Sequence, residues 1–375
     1  MCVYNPPSIL AIGTAVPPYK ISQQLHHSIL ESANCLGRKE KLQLRKIYTN
    51  SGIESRHSVM DEFGRTEQTD NILFFPSNHH VAMPISRRME LYEQYAPSLA
   101  ENAVAQCLEA LPGLSPSAIT HLITFSCTGM SAPGLDIQLI ERMGLKRNVE
   151  RTCINFMGCY AGINALKTAY HISRSEPDAI VLLVGVELCT LHYQKNEKED
   201  QIIANAIFGD GASACIVSSQ KIESNKASRG LSLKNFYAEF EPGETTEMAW
   251  RIGDSGFDLR LSSYVPALIK KYIPAFMANL LNTANIKQED IDFYAFHPGG
   301  VKILQACEEA LHISKKENEI SYQVLHDYGN MSSVTIFFVL KKLLGSLSQA
   351  DIGKRILACA FGPGLTMEAM TAEIC

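Results

Sequence analysis

No apolar run in this 375-residue chain is long enough to cross a bilayer, so a membrane-spanning helix is not expected. The N-terminal residues lack the basic segment, apolar stretch and small-residue cleavage site of a signal peptide, so none is expected. Basic charge is not in excess. The 34 Lys and Arg against 39 Asp and Glu leave a net charge of −5, which argues against general attraction to nucleic acid or an anionic membrane. The 11 cysteines contain no C-x-x-C pair and no Cys/His cluster at zinc spacing. Neither a metal centre nor a disulfide framework is expected, and the cysteines read as reduced thiols of a cytoplasmic protein. Tryptophan occurs once, as Trp250. What is present is ordinary for a globular protein, 46% apolar and 19% charged, in a chain long enough for two core-sized units or one duplicated unit.

The most informative stretch is 152–173. An apolar run at 152–157 predicts a buried strand, Gly158 a turn, and 161–173 a sparsely charged and therefore buried helix. Cys159 stands at the start of that helix, where the backbone N–H groups and the positive dipole end favour a thiolate. A cysteine alone is more often a small core residue; a cysteine on a tight turn before a buried helix is a candidate nucleophile.

Along the chain, strands are expected at 8–15, 122–125, 179–186 and 212–217, and helices at 22–47, 98–111 and 135–143. Residues 56–96 read as a loop-rich excursion interrupted by an apolar patch at 72–76, residues 202–206 as a short apolar segment, and 218–230 as a polar linker. The second half repeats the first. The helix, turn and strand that end on Phe125 recur before Phe296, a shift of 171. The same shift carries Cys159 onto Asn330, which also precedes an apolar helix, at 334–344. Glycine turns then follow in each half, Phe208-Gly209-Asp210-Gly211 and Phe361-Gly362-Pro363-Gly364, at a shift of 153. The first half therefore holds eighteen extra residues (171 − 153), which we place near 188–200. Three matches in one order mean two similar α/β units packed together, 1–222 and 223–375, with mostly parallel sheets covered on both faces.

The duplication places Cys159 and Asn330 at the starts of paired helices, and His297 at the end of a buried strand before Pro298-Gly299-Gly300. An imidazole near a thiol can hold it as an ion pair, and His297 with Asn330 can donate hydrogen bonds to a thioester oxygen that gains charge. Taken alone, the histidine reads as a hydrogen-bonded core residue and the asparagine as a cap; the trio makes the case.

The chain resembles the type III polyketide synthases, the group of chalcone synthase. The resemblance rests on Gly158-Cys159-Tyr160-Ala161-Gly162, Phe208-Gly209-Asp210-Gly211-Ala212, Phe296-His297-Pro298-Gly299-Gly300, Tyr328-Gly329-Asn330-Met331-Ser332-Ser333 and Phe361-Gly362-Pro363-Gly364-Leu365-Thr366. It implies the thiolase fold, duplicated αβαβα halves in a five-layered core, and a homodimer. It implies that Cys159 carries the starter from an acyl-CoA and the growing chain, and that His297 and Asn330 polarise malonyl-CoA and stabilise its enolate. No cofactor is implied, because the coenzyme A thioesters are substrates. Phe208 matches a gatekeeper between tunnel and cavity, and Ser332 a cavity residue. Lys302, Lys46 and the backbone at Gly299 and Gly300 match coenzyme A contacts. A further family lysine falls on Asn50, for which nearby Arg56 is a candidate substitute.

Other positions depart from the family. A second gatekeeper phenylalanine falls on Leu259, a cavity-shaping glycine on Trp250, and three pocket threonines on His192, Cys127 and Cys189; a methionine that crosses the dimer falls on Ala132. The segment 248–257 is similar to the bacterial branch. Trp250 is expected to narrow one side while Leu259 and Ala132 free volume elsewhere, which suits an acetyl-like or fatty acyl starter and a pyrone, resorcinol or phloroglucinol product. The nearest rival is a ketosynthase III-like enzyme of fatty-acid synthesis, which carries His-Gln-Ala-Asn where this chain has His297-Pro298-Gly299-Gly300. A degradative thiolase carries a second catalytic cysteine in a Cys-x-Gly-Gly type turn, and Cys359 lies instead in a strand pattern. An inactive scaffold is disfavoured by the intact trio.

Overall fold

In the strand Ile180–Leu188, successive side chains serve two different cores. Val181 and Leu183 face one, and Leu182, Val184 and Val186 face the other. The same alternation sorts Cys215 and Val217 from Ala214 and Ile216, and Ala358 and Ala360 from Leu357 and Cys359. A period of two with both faces apolar is what a sheet covered on both sides demands. The structure, a computed structural model, describes residues 5–33, 37–64, 83–194, 198–222 and 229–375.

The first half contains β1 (Ser8–Ala15), β2 (Tyr19–Ser22), α1 (Gln23–Ala33), α2 (Arg38–Thr49), β3 (Ser55–Ser58), α3 (Ile85–Glu109), β4 (His121–Ser126), α4 (Leu135–Met143), β5 (Glu150–Asn155), α5 (Ala161–Ser175), β6 (Ile180–Leu188), α6 (Glu199–Ile207) and β7 (Asp210–Ser218). The second contains β8 (Leu231–Phe240), β9 (Met248–Gly253), β10 (Gly256–Leu261), α7 (Val265–Ala284), β11 (Phe293–Phe296), α8 (Val301–Leu311), α9 (Glu319–Tyr328), α10 (Thr335–Ser346), β12 (Arg355–Gly362) and β13 (Thr366–Ile374).

One nine-stranded sheet runs in the order β11-β12-β13-β8-β1-β7-β6-β4-β5. It divides into β1-β7-β6-β4-β5 and β8-β13-β12-β11, and the neighbour directions of the two sets correspond: antiparallel, antiparallel, parallel. Among the described residues the two sets of strands are joined at β1 and β8 through two residue pairs, Ser8↔Ser232 and Ile9↔Leu231. Helices α5 and α10 pack against each other between the two sets of strands, α3 covers the outer face of the first, and α7 with α8 covers the second. The result is the five-layered, thiolase-like arrangement.

The expectation of mostly parallel pairing is corrected: five of the eight neighbour pairings in the main sheet are antiparallel. The reason is that β6 and β12 each reverse into an antiparallel neighbour, β6 over a long link that holds α6 and β12 over a tight hairpin. The extra residues of the first half are located by the same comparison. Twenty-one residues (189–209) join β6 to β7, and three (363–365) join β12 to β13, a difference of eighteen.

Other expectations shift. The apolar run at 152–157 is not a buried strand: β5 is the sheet's edge, and of its residues only Ile154 is buried. The helix expected at 22–47 is two helices, α1 and α2, with Gly37 at the N-cap of the second. Helix α3 begins thirteen residues before the expected 98, at Ile85, and carries Pro97 inside it. Its buried Arg88, Leu91, Tyr92, Ala96, Leu99 and Ala100 keep helical spacing, but the arginine and the proline disguise it. The apolar patch at 72–76 lies outside the described residues, as does the middle of the linker expected at 218–230. The nine described cysteines are free, and Cys2 and Cys35 lie outside. Among the described residues no helix is long and apolar enough to cross a membrane.

The two central helices approach closely at Gly162, where an added Cβ would lie 2.5 Å from the Ser333 carbonyl oxygen. Gly162→Ala is expected to destabilise the fold by about 2 kcal/mol, since overpacking a rigid backbone contact displaces a whole turn. A urea unfolding midpoint unchanged from wild type would remove this constraint.

Candidate active site

Cys159, His297 and Asn330 reach one cavity from three elements. Cys159 sits two residues before α5, His297 directly follows β11, and Asn330 lies between α9 and α10. All three line a cavity of about 710 Å3, mouth included. Of the other positions predicted from sequence, Phe208, Leu259, Trp250, Cys127, Cys189, Ser332 and Gly299 line it too. Apart from Thr128 and Gly158, the remaining wall is apolar, from Met248, Leu261, Ile303, Phe361 and Pro363.

Backbone bonds fix the polar members. His297 N–H donates to the Cys359 carbonyl at 2.8 Å, so the histidine extends the β11–β12 pairing by one residue. Asn330 is tied to the Phe208 turn by a two-bond bridge: its N–H donates to Ile207 O at 2.8 Å, and Gly209 N–H donates to its carbonyl at 3.0 Å. The Asn330 side chain is oriented as well. Its Oδ1 accepts from Ser332 N–H at 2.8 Å, which turns Nδ2 toward Gly299 O at 3.4 Å.

Burial dominates the electrostatics. It pushes the Cys159 thiol up to about 12, against the lowering effect of the Ser332 hydroxyl; Glu187 raises the thiol further, and Asn330 and the residue's own N–H lower it. Burial brings His297 down to about 3. The sulfur is hydrogen-bonded to Ser332 Oγ at 3.7 Å, and among the described residues neither buried ring nitrogen of His297 has a partner. The expected ion pair is therefore not formed in the chain alone: each group, in isolation, is held neutral.

Sequence reasoning missed Glu187. Its buried carboxylate accepts from Cys127 N–H at 3.0 Å, from Thr128 Oγ1 at 2.7 Å and from Ser333 Oγ, so it links β6 to the turn before α10. The available signal was one acid inside the otherwise apolar run 180–188.

Leu259 and Trp250 do not act on separate sides. They are directly paired across the β9–β10 ribbon, and the Trp250 indole N–H donates to Cys127 O at 2.8 Å, so the tryptophan fills space beside the smaller leucine. His192 stands behind this wall and does not line the main cavity. Its ring stacks on Phe257 with centroids 3.9 Å apart, both nitrogens are engaged by backbone groups, and it borders a second, smaller chamber. Ala132 is exposed on a turn and does not line the cavity of its own chain.

The candidate coenzyme A contacts divide. Lys46, at the end of α2, and Lys302, in the first turn of α8, are exposed, and the two helix ends meet where Gly52 packs against Val301. Gly300 caps α8 and does not line the cavity. Asn50 donates back to Lys46 O at 2.8 Å. Arg56 is corrected: it is 3% exposed, and its guanidinium is spent on Phe208 O and Asn205 O, so it is not a surface substitute for the missing lysine.

The family model for chalcone and stilbene synthases matches the chain in both of its parts, the N-terminal domain over residues 2–221 and the C-terminal domain over 232–374. A protein of the slime mould Dictyostelium discoideum named probable polyketide synthase 1 is 31% identical over 96% of this chain, which spans 11% of that relative's length. Type III polyketide synthase 21 of Oryza sativa is 30% identical, over 98% of this chain and 94% of its own. Among solved structures, the C-terminal type III polyketide synthase domain of Steely1 from Dictyostelium superposes with a TM-score of 0.89 at 29% identity, covering 98% of this chain and 99% of the other.

Asp210, one residue past the Phe208 turn, accepts from Val59 N–H, Thr190 N–H and Thr190 Oγ1 at 2.9, 2.8 and 2.7 Å, and burial raises its carboxyl to about 6. A raised carboxyl binds its proton more tightly in the folded chain. Its contribution to stability is thus present below the ordinary value of 3.8 and lost as pH rises through about 6. Between pH 4 and 7 the stability of wild type relative to Asp210→Asn is expected to fall by on the order of 3 kcal/mol. Parallel urea midpoints of the two proteins across that range would contradict the assignment.

Proposed function

The chain belongs to the chalcone and stilbene synthase family, the type III polyketide synthases, and on that premise we propose that it loads an acyl-CoA starter on Cys159 and extends it with malonyl-CoA. The observation that carries the reading is that Cys159, His297 and Asn330 share one buried cavity.

In the loading step the Cys159 sulfur attacks the starter's thioester carbonyl and expels coenzyme A as its thiol, leaving an acyl-enzyme thioester. The attacking form is the thiolate. Burial opposes charge on either partner alone, but moving the proton from Sγ to His297 creates two charges that stabilise each other beside a helix N-terminus. In the extension step malonyl-CoA loses carbon dioxide, and the electron pair of the broken C–C bond becomes an enolate. The enolate carbon attacks the acyl carbonyl, the C–S bond to Cys159 breaks, and a β-ketoacyl-CoA two carbons longer results. Asn330 Nδ2, with Oδ1 already occupied by Ser332 N–H, and the unpartnered ring of His297 supply donors for the enolate oxygen. Lowering the charge on that oxygen is what makes decarboxylation accessible without a strong base. The apolar wall of Met248, Trp250, Leu259 and Phe361 suits an aliphatic starter, and repeated extension then cyclisation gives a pyrone, resorcinol or phloroglucinol-type product. Lys46 and Lys302 serve the coenzyme A phosphates, and the homodimer and cytoplasmic location expected from sequence belong to the same proposal.

Intact-mass measurement after adding hexanoyl-CoA is expected to show one acyl group, absent in Cys159→Ala; an adduct that survives the substitution ends the reading. The proton's place is tested by iodoacetamide. With His297→Ala the upward shift from burial acts alone, so alkylation of Cys159 at pH 7 is expected to slow at least tenfold and to climb with pH. If the pH profiles of wild type and variant coincide, proton transfer to His297 is wrong.

A further inference from the structure

Arg56 comes from β3, outside both repeated sets of strands, yet its side chain ends at the Phe208 turn and borders the second chamber. Among the described residues no carboxylate lies within ion-pair distance of it. The buried Asp210 carboxyl acts on it only from beyond ion-pair distance, and a buried cation is costly unless its donors are filled; here they are filled by neutral acceptors. Nη1 donates to Asn205 O at 2.8 Å and to Phe208 O at 2.5 Å, Nε donates to Gln23 Oε1 at 3.2 Å, and Nη2 meets His26 Nδ1. The aliphatic stem is used too. A Cβ on Gly329 would lie 2.7 Å from Arg56 Cγ, and one on Gly209 3.2 Å from Arg56 Cβ. The stem is therefore wedged between the backbones of two turns, one ahead of β7 and the other ahead of α10. These are the turns joined by the Phe208–Asn330 bridge.

We propose that Arg56 is a positioning residue for condensation: it clamps the Phe208 turn against the Asn330 turn and thereby sets where the Asn330 amide and the Phe208 ring stand. None of the clamp's hydrogen bonds reaches Cys159, whose helix packs on α10. Rigidity at the Asn330 amide matters because a donor aimed at a developing oxyanion loses most of its effect when displaced by about 1 Å.

The proposal rests on the synthase reading and separates the two half-reactions. Arg56→Lys keeps the charge but loses the forked donors, so it cannot hold Asn205 O and Phe208 O together with Gln23. Its acylation by hexanoyl-CoA, followed by intact mass, is expected to stay within about threefold of wild type, while carbon dioxide release from malonyl-CoA falls at least tenfold. Gln23→Ala removes the Nε acceptor and leaves the guanidinium in place; it serves if Arg56→Lys fails to fold, and a smaller selective loss, about threefold, is expected. Near-UV circular dichroism gives the folded fraction. Equal losses in both half-reactions, matching the folded fraction, or an unchanged rate of carbon dioxide release would overturn the proposal. A wild-type protein that takes up no acyl group would instead defeat the synthase reading itself.

Discussion

Two backbone hydrogen bonds, between Ile207, Gly209 and Asn330, tie the halves of this molecule together where its chemistry is expected. Each half alone places one helix start and one glycine turn at the carboxyl end of its strands. The bridge fixes the first half's turn against the second half's helix start. The thiol at one helix and the amide at the other can share a cavity because α5 and α10 pack side by side, and Gly162 permits the approach. Glu187 adds a second tie, from β6 to Ser333. The junction is thus held by groups that water does not reach, where each hydrogen bond is costly to leave unmade.

The same burial that secures the junction sets the resting state of the reactive groups. Burial disfavours charge on the Cys159 thiol and on the His297 imidazole alike. Electrostatic preorganisation here consists of donors aimed into apolar space: the Asn330 amide, fixed by Ser332 N–H, and a histidine with no other partner.

Much of this was legible in the residues. The repeat, the eighteen-residue asymmetry and the meeting of Cys159, His297 and Asn330 follow from spacing and from motifs, because a duplicated fold makes equivalent positions converge. What was not legible has physical causes. The 25-residue helix α3 was hidden by Pro97 and the buried Arg88, two residues that local propensity counts against a helix. The antiparallel majority was hidden because strand direction depends on how the chain returns, not on which residues face the core. Arg56 read as a surface cation since nothing in its local sequence announces that carbonyl oxygens 149 and 152 residues away will surround it. The pairing of Leu259 with Trp250 needed the ribbon's register, and sequence offsets treated the two as independent.

The unequal links, twenty-one residues between β6 and β7 against three between β12 and β13, give the two halves unequal room for substitution. The long link supplies Cys189 and Phe208 to the cavity, with His192 behind its wall, and has length to absorb exchange. The short hairpin supplies Phe361 and Pro363 from a turn with no slack. Variation in what the chamber accommodates can therefore accumulate in one arm of the duplicate while the other is kept as fixed geometry.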